Sequence, residues 1–215
     1  QKRSEIIEIA RQLLESHDFG SLSMDALAAR AKMAKGTLYL YFKSKEELCL
    51  AVHTTNYKLW FEAQLEYLGE GRPISPREYS KWAADVLRKN PLFTKMLPIV
   101  STTLEKNVSK EVARAYRLLI AEELQKVCPI LAKSLGLAST QQAGQIMLLS
   151  NALAVGLWPL AHPSPLMQEI ILEEKLDVFR VDFFFILEQS LEQVIVGFLS
   201  LQKGGSSSSS GDSRA

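Results

Sequence analysis

Between Ala26 and Lys45 every charged side chain is a cation: Arg30, Lys32, Lys35, Lys43 and Lys45. Cations grouped without intervening acids form the kind of surface that meets nucleic-acid phosphate. The rest of the chain does not share this bias. Residues 1 to 45 carry eight Lys or Arg against five Asp or Glu, whereas the remainder carries seventeen against nineteen. The total formal charge is only +1, so the positive field is confined to the N-terminal end.

The elements that would carry these cations can be read locally. Ser23 is a good N-cap and Asp25 sits where a helix N-terminus favours negative charge, which starts a helix near Met24. Its inward residues are Leu27, Ala28 and Ala31, and the alanines are small enough to let a second helix approach closely. After a turn at Lys32 to Ala34, a second helix runs from about Lys35 to Phe42, with Leu38 and Phe42 on the core side. Lys35, Gly36, Thr37, Tyr39, Leu40 and Tyr41 then stay outside. Two short helices joined in this way form a helix-turn-helix, whose second helix enters the major groove N-terminus first.

Both flanks complete the unit. Upstream, Ile6, Ala10, Leu13 and Leu14 make a helical stripe over roughly residues 3 to 17, closed by Phe19-Gly20. Downstream, Ser44-Lys45-Glu46-Glu47 is a capping box from which a fourth helix starts at Lys45 and runs to about Leu68.

The segment KGTLYLYFKSKEEL, at the end of a correctly spaced helix pair, is similar to the signature of the tetracycline-repressor (TetR) family of bacterial transcription regulators, and the likeness covers residues 1 to about 50. The resemblance implies that Lys35, Gly36, Thr37, Tyr39, Leu40 and Tyr41 face the groove. It also implies that Lys45 and the start of the next helix meet phosphate, with Ser23 and Met24 at the other helix start joining the DNA-binding set. Two details depart from the family. The turn reads Lys32-Met33-Ala34 where Gly-Val-Ser or Gly-Val-Thr is common, so the usual side-chain cap of the recognition helix is missing. Leu40 stands where a polar or aromatic residue is frequent.

Beyond residue 68 the pattern is helical, with no alternating strand. Helices are expected near residues 76 to 89, from Pro91 to about Lys106, from Ser109 to roughly Ser134 with a kink at Cys128-Pro129, from Ser139 or Thr140 to about Ala161, and from Val181 to Gln202. The expected fold is therefore all-α: a three-helix helix-turn-helix head over residues 1–47, a larger helical effector-binding and dimerisation domain over 48–203, and a disordered Gly/Ser tail over 204–215. Leu149, Leu153 and Leu157, and then Leu187, Leu191, Val194 and Ile195, make the last two long helices too apolar for lone surface positions. The family resemblance implies that they pair with their copies in a homodimer, which doubles the bases that one head can read.

Phe61, Trp82, Phe93, Met96, Tyr116, Met147 and Trp158 supply large or adaptable apolar surface in the middle helices. Family members commonly bind a small effector in this region. With no Arg or Lys in that set, the expected ligand is mainly hydrophobic.

Composition bounds the other classes. A content of 47% hydrophobic and 23% charged residues suits an ordinary globular protein. No run of eighteen uncharged apolar residues and no secretory leader is apparent, which leads to an expectation of a cytoplasmic protein without a membrane partner. Cys49 and Cys128 stand alone, His53 and His162 have no partner at metal-ligand spacing, and Gly69-Glu70-Gly71 lacks the residues of a phosphate loop. No catalytic residue, metal or cofactor is assigned. The reading is a ligand-responsive DNA-binding regulator, a repressor released from a palindromic operator. The competing classes are an architectural DNA-binding protein and an all-α enzyme.

Overall fold

The computed structural model describes residues 1–205. Among them are ten α-helices and no strand. They are α1 (Lys2–Ser16), α2 (Met24–Arg30), α3 (Lys35–Tyr41), α4 (Lys45–Leu68), α5 (Pro76–Lys89), α6 (Pro91–Ile99), α7 (Lys110–Leu135), α8 (Thr140–Ala161), α9 (Pro165–Glu173) and α10 (Phe183–Gly205). The stretch 204–215, expected to be disordered, lies outside the described residues apart from the end of α10 at Gly205.

Serine caps set most of the helix starts. Ser23, Ser44, Ser75, Ser109, Ser139 and Ser164 each accept a backbone N–H from the residue three positions on. Each satisfies one of the orphan donors of a first turn. At α4 the reciprocal bond of the capping box is offset by one residue: Glu47 Oε2 accepts from the backbone N–H of Lys43 at 2.8 Å. Past Pro98 inside α6, the chain widens into a π-helical turn over Val100–Leu104. α7 continues through Pro129 to Leu135.

The helices form two compact units. The first comprises residues 1–62 and 90–123 and has one continuous core. Ile6, Ala10 and Leu14 of α1, Leu27 and Ala28 of α2, Leu38 of α3, Phe42, and Leu48 and Leu50 of α4 meet there with Leu92, Met96, Leu104 and Tyr116. The core of the helix-turn-helix runs on through α4, α6 and the first half of α7. That continuity fixes the short helices, since seven residues in isolation would not hold a helix.

The second unit comprises residues 63–89 together with residues 124–205. α10 packs on α5 and α8 there, and Leu87, Leu131, Ile146, Leu187, Leu191 and Ile195 are buried. Gly71 makes the turn before α5 at φ +87°, a conformation that L side chains rarely adopt.

Two sequence expectations need correction in this unit. Thr140 to Ala161 contains no Asp, Glu, Lys or Arg, so an uncharged run longer than eighteen residues does exist. Its Gln, Ser, Thr and Asn residues interrupt the apolar pattern without adding charge. By length and composition alone, α8 and Phe183–Gln202 of α10 could cross a membrane, with mean hydropathies of 1.3 and 1.4. The second correction concerns the α10 residues expected to pair with their copies: Leu187, Leu191 and Ile195 are at most 2% exposed and pack inside their own subunit, so they are no part of an outward seam.

Candidate nucleic-acid interface

α2 and α3 are held at close quarters by small residues and a tight reversal. Ala31 ends α2, Lys32 takes a left-handed conformation at φ 52°, and the backbone N–H of Met33 returns to the carbonyl of Ala28 at 3.1 Å. Glycine is the residue that adopts this conformation without steric cost. Lys32 adopts it with a side chain directed to solvent. Ala34 occupies the N-cap of α3 and provides no side-chain bond. The missing cap is thus real, and α3 is anchored from behind by Leu38 and Phe42, both fully buried.

That anchoring leaves one face of α3 open. Lys35, Gly36, Thr37, Tyr39, Leu40 and Tyr41 are all exposed, Leu40 most of all among the apolar ones at 76%. A Cβ on Gly36 would meet nothing within 4 Å, so the backbone is bare there. Lys35 Nζ donates to Asp25 Oδ2 at 2.8 Å, tying the start of α3 to the first turn of α2. Both groups are half exposed or more, which makes the pair cheap to exchange for another anion.

The other sequence-derived contacts sit differently. Ser23 is exposed and its hydroxyl is committed to the Ala26 N–H at 3.1 Å. Met24 has a buried side chain, so only its backbone at the N-terminus of α2 is available to a ligand. Lys45 is half-buried: its ammonium donates to the carbonyls of Phe19 at 3.4 Å and Leu22 at 3.2 Å and lies 4.6 Å from the centre of the Phe19 ring. It fastens the loop after α1 to the start of α4, a role that charge counting along the sequence does not show.

The interior candidates divide between the units. Phe61, Phe93, Met96 and Tyr116 are buried in the first unit. Met147 is buried and Trp82 and Trp158 are half-buried in the second.

In the first unit the cluster gains three residues outside the expected apolar lining: His53, Tyr57 and Trp60. His53 stacks on Phe93 at 5.2 Å, Tyr57 lies 4.8 Å from Phe61, and Trp60 is 5.0 Å from Phe61 in an edge-on arrangement. Two polar atoms in this aromatic surround, His53 Nδ1 and Trp60 Nε1, are buried without a hydrogen-bond partner. Burial pushes the His53 imidazole down to about 3 and the Tyr57 hydroxyl up to about 12. His53 is therefore neutral at physiological pH.

In the second unit Gln64 is fully buried, donating from Nε2 to Tyr79 Oη at 2.6 Å and to Met147 Sδ at 3.3 Å, while its Oε1 has no partner. Histidine without a metal-ligand partner in the sequence, and a glutamine inside an apolar helix, carry no signal until burial is known. Among the described residues no three His, Cys, Asp or Glu side chains come close enough to hold a metal ion.

The comparisons with known proteins agree with this geometry. Residues 6–52 match the pattern described as bacterial regulatory proteins, tetR family, and residues 54–201 match the tetracyclin repressor-like C-terminal domain. The chain belongs to the TetR family of transcription regulators. It is DNA-binding by family, with a helix-turn-helix head and a larger helical C-terminal domain.

Among curated proteins it is 34% identical over 92 residues to the uncharacterised HTH-type regulator YuxN of Bacillus subtilis, an alignment covering 43% of this chain and 31% of that protein. It is also 38% identical over 50 residues to an uncharacterised HTH-type regulator of Mycobacterium tuberculosis, covering 23% of this chain and 25% of that one. The chain thus spans under a third of the curated relatives it matches.

The fold resembles FadR of Bacillus subtilis in complex with stearoyl-CoA, with a TM-score of 0.55, 16% identity, and 90% and 98% of the two chains covered. It also resembles a TetR variant of Acinetobacter baumannii in complex with minocycline, with a TM-score of 0.52, 20% identity, and 99% and 98% covered. At such identities the TetR-family likeness is one of fold.

The buried imidazole has a pH signature. Because the folded-state value lies below the ordinary 6.5, His53 favours folding above that value, and its contribution is lost as pH falls toward about 3, when the unfolded chain takes up a proton that the folded chain refuses. Between pH 7.5 and 5.5 this amounts to about 1.4 kcal/mol. Urea unfolding of parent and His53→Phe at the two pH values is expected to show that loss only in the parent; equal losses would mean that the imidazole is not held neutral.

Proposed function

We propose that the protein is an effector-controlled repressor: a homodimer whose two α3 helices read a palindromic operator, and which releases it when a mainly hydrophobic molecule occupies the helical interior. The observation that carries the reading is the exposed face of α3, with Lys35, Gly36, Thr37, Tyr39, Leu40 and Tyr41 outward over a buried Leu38–Phe42 anchor. These six meet the major groove. Phosphates are held by Lys45, by the hydroxyl of Ser23 and by the backbone of Met24 at the N-terminus of α2. The Leu40 side chain suits contact with a thymine methyl group, which needs no polar partner.

The effector reading rests on the aromatic interior. Phe61, Phe93, Met96 and Tyr116 offer apolar surface, and an acceptor on the ligand would satisfy the Trp60 N–H and engage His53, whose lone polar atoms otherwise cost stability. Trp82, Met147 and Trp158 provide a similar apolar lining in the second unit. The neighbouring structures that hold stearoyl-CoA and minocycline support a ligand-bearing interior for this fold.

Control follows as a population shift, in which a tenfold loss of DNA affinity requires the effector to favour the released state by about 1.4 kcal/mol. A thermal-shift screen of hydrophobic compounds, followed by DNA titration, tests the effector step. Ligands that raise the melting temperature are expected to weaken DNA binding, and ligands that stabilise the fold without altering DNA affinity would argue for an architectural role.

The dimer reading rests on exposed apolar surface in the second unit. Leu148, Leu149 and Leu160 of α8 and Phe185, Val196 and Leu201 of α10 all face outward, and α9 has no buried residue at all. Patches of this kind mark an interface. Leu191 being internal, the informative substitution is Val196→Glu. It is expected to give helical monomers in sedimentation at micromolar concentration, with operator binding lost; a monomeric parent would contradict the dimer.

Lys45→Ala is expected to flatten the dependence of DNA affinity on salt by about one unit and to lower the melting temperature, since the same ammonium clasps the Phe19 and Leu22 carbonyls. Equal salt slopes in variant and parent would remove Lys45 from the interface.

A further inference from the structure

Inside the second unit, three helices bring their polar groups to one point. Gln64 of α4 is fully buried, and its Nε2 lies 2.6 Å from Tyr79 Oη of α5 and 3.3 Å from Met147 Sδ of α8. Tyr79 Oη lies 3.4 Å from the same sulfur. The other end of the amide, Gln64 Oε1, is buried with no hydrogen-bond partner.

Counting hydrogens shows which end of the amide is open. As placed, Nε2 gives one hydrogen to the Tyr79 oxygen and one to the Met147 sulfur, and the Tyr79 hydroxyl gives its own to the sulfur. All three donors are used, and a single acceptor is left over. Turned end for end, the amide would face the sulfur with an oxygen and strand both N–H bonds where Oε1 now lies. Buried N–H groups are rarely orphaned, whereas carbonyl oxygens are more often left short of partners. The open atom is therefore the carbonyl oxygen.

An open acceptor calls for a donor, and the surroundings narrow its kind. None of the buried polar side chains among the described residues is a Lys or Arg. A carboxylate would meet an oxygen with no cation to offset its burial, and an ether or ketone would set acceptor against acceptor. We propose that Gln64 selects the ligand of the second unit: its Oε1 accepts a hydrogen bond from a neutral hydroxyl or N–H on an otherwise hydrophobic molecule, a phenol or alcohol rather than an acid. This rests on the reading that an effector enters the helical interior, and it names the polar group such an effector carries.

Met147 is the member of the network that can yield. Its side chain is unbranched and adaptable, and a thioether sulfur is a weak acceptor, so a ligand oxygen readily replaces it as the partner of the Tyr79 hydroxyl. A ligand hydroxyl then donates to Gln64 Oε1 and accepts from Tyr79 Oη. Tyr79 also positions the amide, because its oxygen holds one Nε2 hydrogen and so keeps Oε1 free. Trp82, its ring 5.8 Å from that of Tyr79, adds an aromatic wall beside the hydroxyl.

The probes are para-propylphenol and its methyl ether, para-propylanisole, titrated calorimetrically into the full chain without DNA. The phenol is expected to bind saturably and more tightly than the ether by at least about fivefold, the effect of one buried hydrogen bond. In Gln64→Met that preference disappears because the phenol weakens and the ether does not. Tyr79→Phe, which serves as well should Gln64→Met fail to fold, frees the amide to turn and narrows the preference while keeping the ether's affinity; a purely structural defect would weaken both probes alike. The proposal is overturned by equal affinities of the two probes in the parent or by a preference unchanged in Gln64→Met. It is also overturned by no saturable binding of the phenol up to about one millimolar, the result expected if Oε1 holds only a buried water. A phenol that binds as described and leaves DNA affinity unchanged counts against effector release and not against Gln64, whereas probes that bind equally and still release DNA do the reverse.

Discussion

Everything that the head does depends on the burial of Leu38 and Phe42. α3 is two turns long, has no side-chain cap at its start and follows a turn that holds Lys32 in a left-handed conformation. Such a helix has no independent stability. It persists because its inner face is packed into a core that includes α1, α2, α4, α6 and the first half of α7. The outer face can then be chosen for DNA alone, which is how Gly36 and Thr37, poor helix formers, and Leu40, an apolar residue 76% exposed, come to sit side by side on a helix surface.

In the effector-controlled mechanism proposed above, the same core is the route from ligand to DNA. α4 begins with the Ser44 cap beside α3 and carries His53, Tyr57, Trp60 and Phe61 roughly two and a half to five turns later. A change in how those rings pack alters the helix that the head is built on. The unpartnered His53 Nδ1 and Trp60 Nε1 are places where stability has been given up inside an otherwise well-satisfied core. Buried polar atoms left open in this way are more understandable in a site that exchanges ligands than in one built only for packing.

Much of this was legible in the residues, for identifiable reasons. Helix starts could be placed because serine caps and Pro at the first turn are local signals, and at Ser23, Ser44, Ser109 and Ser139 the bonds are where the sequence suggests. The outward face of α3 followed from two apolar positions four residues apart. What could not be read depends on tertiary surroundings. The Lys45 ammonium looked like a free cation until the Phe19 and Leu22 carbonyls were brought beside it. Leu191 was one apolar residue among many on α10, and only the packing of that helix on α5 and α8 decides that it points inward while Val196 points out. The uncharged length of α8 is hard to see in the sequence because its glutamines and asparagine interrupt the apolar pattern but add no charge.

The central claim is that two copies of the exposed α3 face read DNA together. Selecting bound sequences from a random double-stranded pool with the purified protein tests it most directly. Two α3 helices related by a two-fold axis should enrich an inverted repeat whose half-sites lie about 34–36 Å apart centre to centre, one turn of B-DNA, or a multiple of it. Recovery of a single non-repeated motif, or of no enriched sequence at all, would contradict it.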